Sequence, residues 1–321
     1  MVSENSPLTS QSQTPVEVVC CGTLSVIKQI VVDQWPERNT GCYCKEQKDL
    51  IAADAAMVAR ILRGWDVKSG IIGSSLGEDY IGRWVVEEFK RLGILTEVGL
   101  TNQYPSGVSV LVSDSTGART GFWPSPELEQ QVIHSLATAD LSLLKDSRLL
   151  YVDWYDQDAI LRPMDEARQL GIPVFLNLES GHEDSGILSN FAGRATFCQA
   201  VTDAAQRGDE SPFAVAKKLL DAGAETAIIT LASEGCLVVN SQEMIRVFAP
   251  SIEVVDSLGA GATFSSGFMY GYLQGWNLEE STRFATAAAS IKCTYAGLKT
   301  PNINECKQLA ASLKVDYPTG E

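Results

Sequence analysis

The sequence predicts an α/β protein, with a mostly parallel central sheet covered by helices on both faces and a small β appendage. Three observations predict it. Short apolar runs alternate with helical segments along most of the chain, the order that builds parallel strands joined by helical crossovers. Two connections read instead as hairpins, which predicts the appendage. Finally, residues 256–267 hold two close glycines, Gly259 and Gly261. β-Branched residues precede that stretch (Ile252, Val254, Val255) and a small-residue-rich apolar run follows it (Phe268, Met269, Tyr270, Tyr272, Leu273). This is the pattern of a strand, a glycine turn and a buried helix.

Along the chain, Val16–Cys21 is the first apolar strand, ended by Gly22. Ile27–Val32 and Cys42–Lys45 read as short strands of a smaller sheet, separated by Pro36 and a turn-like Arg38–Gly41. Asp49–Arg63 has helical spacing, with Ala52, Ala55, Ala56, Ala59 and Leu62 on one face. Val67–Ile72 is a strand, and Tyr80–Leu92 an amphipathic helix stopped by Gly93. Val108–Val112 and Arg119–Trp123 flank Asp114-Ser115-Thr116-Gly117 as a hairpin. Leu149–Val152, Val174–Leu178 and Ala227–Leu231 are apolar strands, with helices over Asp158–Leu170 and Pro212–Ala222 between them. Cys236–Asn240 and Met244–Phe248 form a second hairpin, and Leu278–Tyr295 a long Ala-rich helix.

The expected organisation is one domain over residues 16–315, with lid strands at 24–48 and 106–124. The Ser-, Gln- and Thr-rich residues 1–15 are expected as a flexible tail, and 316–321 as a short C-terminal one. A net charge of −15 argues against broad nucleic-acid or anionic-membrane binding, which needs clustered Lys and Arg. No apolar run approaches a membrane span. With only His134 and His182 beside eight cysteines, a zinc site is not expected, and reduced, cytoplasmic cysteines are the simplest reading. The loop residue His182 is expected to be solvated.

The glycine turn carries the chemistry. Gly259 and Gly261 let the backbone present its N–H groups at a helix start, where the macrodipole is positive; this makes an anion site. The stretch also resembles the signature of ribokinase-type (PfkB-family) sugar and nucleoside kinases, Asp-Thr-x-Gly-Ala-Gly-Asp. Two further segments share the resemblance. Gly77-Glu78-Asp79-Tyr80-Ile81-Gly82 is similar to the family's G-x-D-x-x-G, and Gly117-Ala118-Arg119-Thr120 to its lid G-x-R-T. The resemblance spans roughly Val16 to Pro301 and is nearest in character to the ketohexokinase-like branch.

The resemblance implies a three-layer α/β/α sandwich with a nine-stranded sheet and a β lid, binding ATP with Mg²⁺ and a sugar-like metabolite. It implies that Gly259, Ala260 and Gly261 donate amides to phosphate. It places Thr230, Glu234 and Gly235 in a T-x-G-x-x-G loop near the nucleotide, with Ala232 where the first glycine stands. Ala289 and Cys293 fall in the region that walls the adenine. Asp256 matches a position that helps hold a monovalent cation, and lid hairpins that pair imply a possible homodimer.

Other positions depart from the pattern. The last signature residue, the general base that takes the hydroxyl proton, is Ala262 here. The sugar-binding Asp falls at Ile27. The Gly-Gly and following Asn fall at Asp49, Leu50 and Asp54. The Asn-x-x-Glu that orders water around Mg²⁺ falls at Gln199–Thr202, with Asp203 adjacent. Asp49, Asp54 and Arg119 are the remaining substrate-side candidates. Losing a general base costs about 10²–10⁴ in rate, or about 3–5 kcal/mol of barrier. That alone leaves a slow kinase, but the other departures also remove positioning, and they favour natural divergence over a single engineered change. The expectation is a sugar-kinase fold that binds nucleotide with weak or absent phosphorylation. The alternatives are an active kinase with a diverged substrate, or a non-catalytic interaction protein.

Overall fold

The structure, a computed structural model, describes residues 16–114, 119–202 and 210–318, with only the backbone of Arg119. The expected tail at 1–15, the hairpin turn at 115–118 and Asp203 lie outside the described residues. The chain begins with β1 (Val18–Gly22) and passes directly into the lid strands β2 (Ser25–Val32) and β3 (Cys44–Ala52). Then come α1 (Asp54–Gly64), β4 (Ser69–Gly73), β5 (Leu76–Gly77), α2 (Tyr80–Leu92), β6 (Leu95–Glu97) and β7 (Leu100–Thr101). The lid resumes with β8 (Val108–Ser113) and β9 (Arg119–Phe122), followed by α3 (Pro126–Ala137) and β10 (Leu149–Asp153). Next are α4 (Leu161–Gln169), β11 (Val174–Glu179), α5 (Ser185–Phe191), β12 (Phe197–Val201), α6 (Pro212–Asp221) and β13 (Thr226–Thr230). β14 (Cys236–Asn240), β15 (Met244–Val247), α7 (Ala260–Leu273), α8 (Leu278–Lys292), α9 (Ile303–Ser312) and β16 (Val315–Asp316) complete it.

Among the described residues ten strands form the central sheet, in the order β16-β15-β14-β13-β12-β11-β10-β1-β4-β6. The pairs from β13 to β6 are parallel and the three at the β16 edge antiparallel. The tenth strand is the two-residue β16, where Asp316 pairs with Arg246, one residue into the expected tail. In β1 the side chains alternate between two cores: Val18 and Cys20 join one cluster, Val19 and Cys21 the other. The first cluster is closed by α1, α2, α7, α8 and α9, the second by α3, α4, α5 and α6. The three-layer sandwich follows from strands buried on both faces.

The lid is a second sheet, β3-β2-β8-β9, springing from the C-terminal end of β1. β3 is longer than the expected Cys42–Lys45 and takes in Asp49–Ala52, which helical spacing had assigned to the next helix. Full pairing with β2 from Ser25↔Ala52 outward overrides that spacing, and Ala53, at φ 72°, makes the break before α1. A strand over Ile252–Val255 does not form. The amides of Val255 and Asp256 instead donate to the carbonyl of Cys293 at the end of α8, and Val254 and Val255 are exposed. α7 is buried on nearly every side, as its composition predicts. Its glycines allow α8 close: a Cβ on Gly267 would sit 2.7 Å from the Ala285 backbone.

Candidate functional site

α7 starts at the turn. Gly259 takes φ 80°, and a side chain there would press on Leu298 at 2.7 Å. Among the described residues no side chain caps the helix. The amide of Ala260 is used within the turn, donating to the carbonyl of Ser257 at 3.1 Å. This leaves the next amides of the first turn, at Gly261 and Ala262, as the ones a phosphate would use. Ala262 itself is 3 % exposed and belongs to the apolar core.

Facing this turn is an acid floor built from the C-terminal ends of the parallel strands. Asp153 ends β10 and Glu179 ends β11, while Asp156 and Asp54 lie in the segments that follow β10 and β3. Asn177 donates through Nδ2 to Asp153 Oδ2 and to Glu179 Oε1, both at 2.8 Å. Its own Oδ1 accepts from Gln199 Nε2 at 3.3 Å, and Gln199 Oε1 accepts from Ser265 of α7 at 3.0 Å. Asp156 accepts from the Thr23 amide at 3.1 Å. Glu179 is left-handed (φ 46°), beside a register shift between β11 and β12. Its Oε1 lies 3.8 Å from where a side chain on Gly261 would begin.

Burial raises every carboxyl of the floor. It pushes Asp156 to about 6 against the opposing hydrogen bonds from Thr23, and Glu179 to about 7 against the one from Asn177. Burial lifts Asp153 well above the carboxylate range, reinforced by the charges of Asp54 and Asp156. Asp54 is raised by burial, with a hydrogen bond to Asp153 pulling it back. The buried hydroxyl of Tyr151, close to the charges of these acids, has no hydrogen-bond partner among the described residues.

The lid side differs in character. Ile27 and Leu50 are cross-strand partners, so the two positions expected on the sugar side form one apolar pair. Asp49 stands away from the acid floor, pairing with Lys28 at 2.7 Å on the lid. Asp54 does join the floor. Arg119 begins β9 opposite Ser113, its side chain outside the described residues. Asp79 ties the lid root to the body. It caps α2 by accepting from the Gly82 amide and accepts from the Ser106 amide and hydroxyl, each at 2.8 Å. Burial raises that carboxyl, and these hydrogen bonds outweigh it and hold it low.

The Thr230–Gly235 loop holds two residues at positive φ. Gly235 has φ 94°, and a side chain there would collide with the Val247 carbonyl oxygen. Ala232 takes φ 48°, a glycine's conformation without the glycine. Thr230 Oγ1 donates to the Ala200 carbonyl at 3.3 Å, and Glu234 lies 3.7 Å from Arg246. Ala289 and Cys293 lie on and just after the last turns of α8, and Asp256 sits beside that helix end. For Mg²⁺ the fit is poor: Gln199, which opens the segment expected to order water around the metal, is fully buried and spent on Asn177 and Ser265. Among the described residues no group of three acids, histidines or cysteines could hold a metal ion.

Asp153, Asp156, Asn177 and Glu179 are candidate site residues the sequence reading passed over. The signal for two of them was present, since ligands gather beyond the C-terminal ends of parallel strands and Asp153 and Glu179 follow apolar strands directly. His182 is buried rather than solvated, its Nδ1 3.2 Å from the Glu179 carbonyl oxygen.

The chain is thus a lidded α/β/α sandwich whose α7 begins at the C-terminal edge of the parallel sheet, the place where open α/β sheets gather their ligands. The chain belongs to the pfkB family of carbohydrate kinases, which it matches over residues 17–305. It is 26 % identical over 261 residues to an ATP-dependent 6-phosphofructokinase of Thermoanaerobacterium thermosaccharolyticum, covering 75 % of this chain and 79 % of that one. It is 24 % identical over 293 residues to mouse ketohexokinase, covering 88 % and 97 %. Arabidopsis thaliana ribokinase, solved with ribose and ATP, shares the fold with a TM-score of 0.73 at 19 % identity, covering 92 % of this chain and 99 % of that one.

Proposed function

We propose that this chain is a PfkB-fold protein that binds ATP or ADP at the Gly259–Gly261 turn and phosphorylates sugars weakly or not at all. One observation carries the reading. The helix N-terminus proposed to receive phosphate opens on a left-handed Gly259 with its side-chain cap absent among the described residues, while Ala262, just past the turn, is sealed into the apolar core. The Ile27–Leu50 pair and the engaged Gln199 support it, because they take the sugar side and the metal side away together. Thermal unfolding with and without ADP, ATP and a sugar panel, alongside a coupled turnover assay, tests it. A nucleotide shift without turnover is the expected result; turnover above about 1 s⁻¹ overturns it.

Glu179 supports a second reading, a slow kinase with a relocated base. Its carboxyl reaches the first turn of α7 and is poised near neutrality, as a proton acceptor should be. Under that reading Glu179→Gln abolishes whatever turnover is found, and under the first any residual turnover survives the substitution. The exposed aromatics of the lid region, Trp35, Phe122 and Trp123, support a homodimer through that surface, which sedimentation would test. All eight cysteines are unpaired, which supports a reducing, cytoplasmic setting. Among the described residues no helix is long and apolar enough to cross a membrane.

A further inference from the structure

The end of α8 holds a buried charge beside the phosphate turn. Lys292 is 1 % exposed, a rare state for lysine unless its ammonium is fully engaged. Its Nζ donates to the carbonyl oxygen of Asp256 at 2.8 Å and to that of Tyr295 at 3.4 Å. It lies 3.7 Å from Asp256 Oδ2 and 5.4 Å from the centroid of the Tyr295 ring. The same carboxylate accepts the amides of Leu258 at 2.9 Å and of Gly297 at 3.0 Å. The ammonium therefore sits at the junction of two loops, 255–258 leading into the turn and 293–297 leaving α8. The negative end of the α8 dipole adds to the attraction.

Two carbonyl oxygens, a carboxylate and an aromatic face around one positive centre are what a desolvated monovalent cation would otherwise receive. An ammonium group is close to K⁺ in size and also binds oxygens near 2.8 Å. A second cation cannot join it there, since two like charges a few ångströms apart in a buried site repel strongly. The monovalent cation implied for Asp256 thus does not fit this chain. We propose that Lys292 is a built-in substitute for that cation, so that the Gly259–Gly261 turn is held ready for nucleotide phosphates without K⁺ or Na⁺. The proposal concerns the same site as the nucleotide reading and, for its ligand-binding part, rests on it.

The test compares KCl, NaCl and tetramethylammonium chloride at equal ionic strength, with ADP as the ligand. Calorimetry on the wild-type protein is expected to give the same ADP affinity in all three salts, within about twofold. A K⁺- or Na⁺-specific strengthening beyond about fivefold overturns the proposal. Lys292→Met keeps the length of the side chain and removes the charge. In tetramethylammonium its ADP affinity should fall about tenfold or more, the usual worth of charged hydrogen bonds, and KCl should restore part of it. Unchanged ADP affinity of this variant in tetramethylammonium overturns the proposal.

Thermal unfolding without nucleotide separates this idea from the nucleotide reading. If the wild type binds no ADP in any salt, the nucleotide reading fails, but the internal cation is still judged by stability. A melting temperature that rises in K⁺ for Lys292→Met and not for the wild type supports it. A K⁺-specific rise in the wild type, or none in a folded Lys292→Met, overturns it. Should the variant not fold, the wild-type comparison of the three salts decides alone.

Discussion

Replacing Asp156 by asparagine tests whether the acid floor stores strain. Asp156 is 4 % exposed, and Gly22 leaves the room that brings its carboxylate against β1. Burial raises its carboxyl from the ordinary 3.8 to about 6, even though the Thr23 amide favours the charged form. A rise of that size corresponds to about 3 kcal/mol of preference for the neutral acid in the fold. The sign follows directly. Because the folded value lies above the unfolded one, this stability is fully present below about pH 4 and is lost as pH climbs through about 6. Asparagine mimics the neutral acid and keeps an oxygen for the Thr23 amide. Asp156→Asn should therefore be more stable than wild type by about 3 kcal/mol at pH 8 and by about half of that at pH 5. Urea unfolding followed by tryptophan fluorescence at pH 5, 6, 7 and 8 measures the difference. Two results would refute the reasoning: a variant less stable than wild type at pH 8, or an advantage that stays flat from pH 5 to 8. The first would mean the ionised carboxylate makes a favourable contact, the second that it titrates normally.

Further outcomes are expected at the helix turn. Ala262→Asp should create no sugar turnover above about 1 s⁻¹, because Ile27, Leu50 and Gln199 remain; a coupled assay over a sugar panel checks it. Gly259→Ala forces a side chain into φ 80° and against Leu298. It should cost about 1–3 kcal/mol in unfolding experiments and weaken ADP binding in calorimetry. Glu179, with its carboxyl near 7 and its oxygen beside Gly261, competes with phosphate for the helix end once ionised. ADP affinity should accordingly fall several-fold between pH 6 and pH 8 in the wild type, and Glu179→Gln should flatten that profile.

The sheet was legible because its strands are buried on both faces and read as plain apolar runs, as in Leu149–Val152 and Val174–Leu178. The lid was legible as a hairpin but not in its extent. Lys45–Lys48 is wholly polar and exposed, with no alternation to mark a strand, yet Ser25–Val32 pairs along it. β12 was missed because Phe197–Val201 is a short mixed run whose central Gln199 is polar and buried through bonds made by distant residues. At the site, the glycine turn could be read locally because glycine has a local reason to be there. The acid floor was legible only in the strand-end positions of Asp153 and Glu179; that Asp54 and Asp156 join them from separate segments is decided only after the sheet has ordered itself. Lys292 gave no signal either; a lysine in the last turn of a helix is ordinarily a solvated charge that complements the dipole.

The left-handed Ala232 has a consequence beyond its own loop. Alanine in that conformation carries a penalty of about 1 kcal/mol relative to glycine, and a loop free to relax would shed it. Here the path is enforced by neighbours: the Leu231 amide donates to the Gly235 carbonyl at 2.8 Å, and the Glu234 amide to the Leu231 carbonyl at 2.9 Å. The outline of the loop is thus set by its main-chain contacts and not by a glycine at position 232. Where hydrogen bonds hold a loop to a path its side chains disfavour, torsion angles report its shape more directly than residue names do.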